Sequence, residues 1–180
     1  MRVLGLDPGS RRTGYGVVEG AGNRIRCLAQ GHVGPPARLA LPERLHAIAR
    51  RAGELMDEFT PDSVAVEEAF YHESVRSTLV LGHVRGALLV AAVERGLEVA
   101  EYSPREIKLS VAGRGGAAKE QVAFMVRRLL GLHDLLQADA ADALATALCH
   151  LHRARRPAPA QAASSAARGL AALLAKQSAR

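Results

Sequence analysis

The chain contains two cysteines, no tryptophan and six aromatic residues in 180. Cys27 and Cys149 are far apart and match neither a metal-binding spacing nor a disulfide framework, so both read as small buried hydrophobes. No uninterrupted apolar run reaches roughly 18 residues, so no membrane span is expected. The N-terminus starts on a strand-like run without a signal-peptide pattern, and a cytoplasmic location is expected. Excess charge is also missing from most of the chain. The net +6 comes from its end, because residues 153–180 hold six Lys or Arg and no acid, leaving 18 basic and 18 acidic groups before them. A basic excess hints at nucleic acid, although a basic tail also serves solubility.

What is present is an α/β pattern long enough to close one core. Val3-Leu4-Gly5-Leu6-Asp7 is a buried strand ending in a carboxylate, and Pro8-Gly9 then turns the chain. Residues 13–19 and 23–33 read as two more strands joined by a hairpin at 20–23, giving an antiparallel meander. Residues 41–59 have helical period, and the short apolar run 63–67 again ends in a carboxylate, Glu67. A strand, helix and strand returning to one sheet make a crossover, which predicts that this fourth strand runs parallel to the first. A long helix follows over 74–95, with Val75, Leu79, Val84, Leu88 and Ala92 as its apolar stripe and Gly82 and Gly86 on one face. Residues 97–102 are a fifth strand. Ser103, Pro104 and Glu106 have the spacing of a helix cap, first turn and capping-box partner. A Gly-rich loop at 113–116 leads to a helix over 119–132, and the last helix spans 139–152. Pro157 and Pro159 mark a linker, so residues 1–156 read as the folded domain and 157–180 as a mobile, basic, Ala-rich tail.

Acids stand at corresponding places in this pattern. If the first and fourth strands are neighbours, Asp7 lies beside Glu67, although spacing alone does not choose between Glu67 and Glu68. Asp139 and Asp142 are three apart and point to one side of the last helix. Taken singly, each has a plainer role: a turn cap, a solvated strand end, or partners of a helix dipole. Together, four carboxylates repel unless cations hold them. Hard oxygen ligands suit Mg²⁺ or Mn²⁺, and two such ions roughly 3.5–4 Å apart stabilise the attacking and leaving oxygens of a phosphoryl displacement. The tiny apolar residues around Asp139 and Asp142 let their helix approach the sheet, which favours a buried carboxylate pair.

Leu4-Gly-Leu-Asp-Pro-Gly-Ser10, Thr13-Gly-Tyr-Gly-Val17, Val66-Glu-Glu-Ala-Phe70, Leu81-Gly-His-Val-Arg-Gly86 and Gln137-Ala-Asp-Ala-Ala-Asp-Ala-Leu144 occur in that order. In these segments the chain resembles the RuvC family of crossover (Holliday) junction endodeoxyribonucleases over residues 1 to 152. The resemblance implies a ribonuclease-H-like fold, with a five-stranded mixed sheet of three antiparallel and then two parallel strands flanked by helices. It implies a homodimer that nicks two opposed strands of a four-way DNA junction. Dependence on Mg²⁺ follows, with Mn²⁺ as an alternative and two ions per subunit, and so does partnership with the RuvA and RuvB branch-migration complex. Carried over by motif, the catalytic metal-binding acids are Asp7, Glu67, Asp139 and Asp142. Lys108 and Lys119 align with family lysines tied to DNA contact and activity, and Lys119 is assigned a catalytic role as well. The tail finds no counterpart.

Phe70 and Tyr71 follow the second acid in a loop, and a ring beside a DNA-cleaving centre can stack on an unpaired base. Stacking is assigned to Phe70 and core packing to Tyr71. Between Tyr102 and Arg128 stand Arg105, Lys108, Arg114, Lys119, Arg127 and Arg128 against two acids. Of these, Lys108, Arg114 and Lys119 are candidate phosphate contacts, with Arg76 a further one, while Arg127 and Arg128 read as a solvated face. The histidines show no ligand pattern. Two other readings stay in view. A nucleotide-binding relative of actin and the sugar kinases would need a second copy of the phosphate loop, which is absent. A non-catalytic DNA binder would leave the four acids unexplained.

Overall fold

In the computed structural model, which describes residues 1–22, 24–68 and 74–155, five strands form one sheet in the order β3-β2-β1-β4-β5. The strands β1 (Arg2–Asp7), β2 (Thr13–Ala21) and β3 (Arg24–Val33) make the antiparallel meander. The strands β4 (Ser63–Glu67) and β5 (Glu98–Tyr102) add in parallel on the β1 side, as the crossover rule requires. Leu6 pairs with Val66, so Asp7 and Glu67 are the next residues on adjacent strands.

Alternation along the strands sorts the side chains into two layers. Leu4, Leu6, Val64 and Val66 turn to one face and pack with Ile48 and Leu55 of α1 (Leu41–Phe59) and Val84 and Leu88 of α2 (Val75–Val93). Val3, Ala65 and Tyr102 turn to the other face, which is covered by α3 (Pro104–Ala112), α4 (Lys119–Leu130) and α5 (Ala138–Arg155). Leu4, Leu144 and Leu148 are fully enclosed, and burying a side chain of this kind stabilises by about 1.5–3 kcal/mol. Asp7 and Glu67 share the parity of the second set and therefore face α5.

The helix α5 comes unusually close to the sheet because β1 and β2 present glycines beneath it. A methyl group on Gly5 would stand 2.1 Å from the Ala143 carbonyl oxygen, and one on Gly14 would stand 2.0 Å from that of Asp139. Gly14 is paired with Asp7 across β1 and β2, so one contact seats the start of α5 beside the first acid.

Local chemistry explains most element ends. Ser103 accepts from the Glu106 amide while the Glu106 carboxylate accepts from the Ser103 amide, closing the expected capping box of α3. Ser74 caps α2 through the Ser77 amide. The helix α4 stops at Leu130 rather than 132, because Gly131 takes the left-handed conformation (φ 64°) and terminates it. Arg127 is not simply solvated, since its guanidinium donates to the His133 carbonyl at 2.8 Å. In α2 only Val84, Leu88 and Ala92 of the expected stripe are buried, while Val75 and Leu79 are exposed. By length and mean composition α2 is apolar enough to cross a membrane, although Arg76, His83 and Arg85 interrupt its apolar run. It nevertheless packs on α1 and the sheet through Val84 and Leu88, and its Arg85 pairs with Glu101 of β5.

Candidate active site

Two strand ends and one helix start build the site. Asp7 and Glu67 end adjacent strands, side by side, and each carboxyl shifts the proton affinity of the other. From α5, Asp142 acts electrostatically on both, and Asp139 acts on Asp7. Behind Asp7 the chain turns tightly: Thr13 Oγ1 donates to the Gly9 carbonyl at 2.7 Å, and Arg44 of α1 donates to the Ser10 carbonyl at 2.6 and 3.1 Å. A side chain on Gly9 would strike the Arg12 carbonyl at 2.0 Å, so the turn depends on that glycine. Glu68 lies past the strand, and its amide donates to the Tyr102 carbonyl. Strand alternation thus puts Glu67 on the α5 side.

Burial and mutual repulsion raise the affinity of these acids for protons. Asp7 is pushed up to about 8, first by burial and then by Glu67, Asp142 and Asp139, with Lys119 opposing. Glu67 is pushed up to about 7, again by burial first and then by Asp142; Lys119, the hydrogen bond from Asp7 and Lys108 oppose. Lys119 Nζ stands 3.1 Å from Asp142 Oδ2, and that contact raises the lysine. The charge excess is therefore relieved by Lys119 and Lys108 and by protons.

A cleft of about 220 Å³ opens at the cluster, lined by Glu67, Lys108, Lys119 and Asp142 together with Pro104, Ile107, Val122 and Ala145. Lys108 and Lys119 thus join the acids. Arg114 is turned onto α4, where it donates to Gln121 Oε1 at 2.7 Å and lines a separate hollow with Phe124. Arg76 is exposed on the first turn of α2. Phe70 and Tyr71, and the tail 157–180, lie outside the described residues.

The donor set is chemically that of a hard divalent cation: carboxylate oxygens, with no thiolate or imidazole. Among the described residues no three His, Cys, Asp or Glu side chains are already gathered tightly enough to hold an ion. The sequence reading missed the groups that aim the acids. Gly5 and Gly14 are visible as glycines inside strands, the usual mark of close backbone approach. Arg44 left no such signal.

Comparison with known proteins agrees with this arrangement. The family model described as "Crossover junction endodeoxyribonuclease RuvC" matches residues 3–150. A protein of that name from Pelobacter propionicus is 51% identical over 152 residues, covering 84% of this chain and 86% of its own. The solved structure titled "T. thermophilus RuvC in complex with Holliday junction substrate" superposes with a TM-score of 0.81 at 41% identity, covering 86% of this chain and 95% of that one. The yeast mitochondrial Holliday junction resolvase Ydc2, 14% identical with a TM-score of 0.62 over 83% of this chain and 77% of its own, shares the fold.

Proposed function

This chain belongs to the crossover junction endodeoxyribonuclease RuvC family, and from that premise we propose that Asp7, Glu67, Asp139 and Asp142 are its catalytic acids. It is an endonuclease of DNA recombination and repair that resolves four-way (Holliday) junctions by cutting phosphodiester bonds. The observation that carries the site assignment is that Glu67 and Asp142 line one cleft while Asp7, on the strand beside Glu67, is coupled electrostatically to Glu67, Asp139 and Asp142, with Asp7 and Glu67 raised in pKa by burial and by neighbouring acids.

The family's chemistry is metal-dependent, and here the four acids would hold the metal. Two Mg²⁺ ions per subunit, with Mn²⁺ as an alternative, would acidify the attacking water and offset charge on the scissile phosphate. The chain's own groups do the rest. Asp7 is the central acid, placed between Glu67 on one side and α5 on the other. Lys119 leaves Asp142 for the phosphate and offsets its developing charge, while Lys108 grips a neighbouring phosphate as a point charge. Phe70 stacks at the opened junction centre, and Arg76 and Arg114 hold DNA arms by their phosphates.

Paired nicks call for a two-fold dimer. The exposed face of α2, with Val75, Leu79, Val90 and Val93 beside the open Gly82 and Gly86, supplies an apolar surface for a second copy. The nuclease unit is residues 1–156. It works in the cytoplasm with the RuvA and RuvB branch-migration complex.

The deciding experiment gives the full chain labelled four-way junction, linear duplex and RNA–DNA hybrid, each with and without Mg²⁺. Symmetric nicks in the junction alone, and only with metal, are expected. Asp7→Asn should lose nicking by at least about 10³-fold while binding the junction as before. Full activity of that variant would remove the acids from the mechanism.

A further inference from the structure

One histidine outside the cleft is fixed more tightly than packing requires. His150 lies on α5, eight residues past Asp142, and is only 9% exposed. Both ring nitrogens are engaged. Nε2 stands 3.0 Å from Ser63 Oγ, and Nδ1 stands 2.8 Å from the Tyr102 hydroxyl. A neutral imidazole has one donor and one acceptor, and each hydroxyl can take either role, so the set is satisfied in either tautomer. The Tyr102 ring lies edge-on to His150 at 5.9 Å and is covered by Arg153 at 5.4 Å. Arg153 in turn pairs with Glu106, which closes the capping box of α3.

The places of these partners matter. Ser63 opens β4, and Glu67 ends the same strand on the same face, four residues on. Tyr102 is the residue of β5 paired with Glu67, and its carbonyl accepts the amide of Glu68. The helix α3 leaves directly after Tyr102 and carries Lys108 to the cleft. His150 therefore ties α5, at about 12 Å along its axis from Asp142, to both elements that present Glu67 and to the root of the one that presents Lys108. The rest of this interface is Ala and Leu against Gly and Val. Such apolar burial is non-directional, whereas a hydrogen-bonded ring fixes both height and rotation. The remaining side-chain ties from α5 and its lead-in to the sheet, among the described residues, are Gln137 to His32 and Arg155 to the Arg24 carbonyl, both on β3. Those two do not touch β4 or β5.

We propose that His150 is a positioning residue for junction cleavage: by clamping α5 to Ser63 and Tyr102 it sets the register of Asp139 and Asp142 against Asp7 and Glu67. The inference rests on the acids' proposed role, and the two fail separately. An active Asp7→Asn would sink the acids, whereas the His150 variants test only how the acids are held.

The experiment uses the full chain with His150→Phe, His150→Gln and Ser63→Ala. Four quantities are read: thermal unfolding, junction affinity without divalent metal, single-turnover nicking, and Mn²⁺ binding to the free protein by calorimetry. At a temperature where each variant is folded, His150→Phe should nick about 10–100-fold more slowly and bind Mn²⁺ correspondingly more weakly, the range seen when groups supporting metal ligands are lost. Junction affinity should stay within about twofold, because no phosphate contact is touched. His150→Gln, which keeps polar ends, should recover part of the loss. A folded His150→Phe with unchanged nicking and Mn²⁺ binding overturns the proposal, and so does slowed nicking with unchanged Mn²⁺ binding. If His150→Phe does not fold, Ser63→Ala decides: several-fold slower nicking with intact junction binding supports the clamp, and unchanged nicking overturns it.

Discussion

Asp7 carries the electrostatic cost of the site, and that cost has a sign that can be measured. Asp7 and Glu67 bind protons more tightly when folded, at about 8 and about 7, than at their ordinary values of 3.8 and 4.5. Between the ordinary and the raised values the folded chain holds the extra protons, so its metal-free stability falls as pH rises through that window. Melting of the metal-free chain should therefore occur at lower temperature near pH 8 than near pH 5, and Mg²⁺ should restore it by binding the folded state. Asp7→Asn should flatten this dependence and melt higher than the unaltered chain near pH 8, even as it loses the nicking expected of the proposed acid. The same protons compete with the cation, so the Mg²⁺ concentration for half-maximal nicking should drop as pH rises from about 7 to about 8; a constant requirement would contradict the raised acids. Lys119 belongs to this scale as well. Its ammonium keeps its proton through the contact with Asp142, and Lys119→Met should slow single-turnover nicking about 10²-fold, with the smaller loss of junction affinity that one missing phosphate contact brings.

At the scale of elements, the start of α5 is held by glycine as much as by its own sequence. Gly14→Ala would set a methyl group against the Asp139 carbonyl, and Gly5→Ala one against that of Ala143. Either should cost about 3 kcal/mol or more, at the upper end for overpacking, seen as a drop in denaturant midpoint. Gly14→Ala should lose nicking beyond its loss of folded protein, because the displaced backbone carries Asp139. Element boundaries set by local chemistry were legible in the sequence: α1 over 41–59, the Ser103–Glu106 capping box and β4 ending at Glu67 all stand where the pattern puts them. The faces of α2 were less so. Its sequence is apolar on more than one side, so periodicity joined Val75 and Leu79 to Val84 and Leu88, although only the latter pair is buried. His150 was invisible for a related reason: Ser63 and Tyr102, 87 and 48 residues away in sequence, become its partners only when β4 and β5 lie under α5.

At the scale of the whole molecule, the apolar surface left open on α2 leads to a prediction about assembly. Leu79 is 61% exposed on one chain, so Leu79→Glu should leave the monomer folded while abolishing the proposed dimer in sedimentation. Junctions cut by that variant should carry single, unpaired nicks. Dimeric Leu79→Glu protein making paired nicks would move the interface elsewhere.

The period of most elements, the acids at the ends of β1 and β4, and the small residues that let α5 lie close to the sheet are written in the residue order, because all of these are local patterns of spacing and side-chain size. Folding in three dimensions brings Gly5 and Gly14 under the α5 backbone, settles Lys119 on Asp142 while Arg114 turns away to Gln121, and lets His150 span two strands. Those outcomes depend on the distance between surfaces distant in the chain, which packing fixes and residue spacing does not contain.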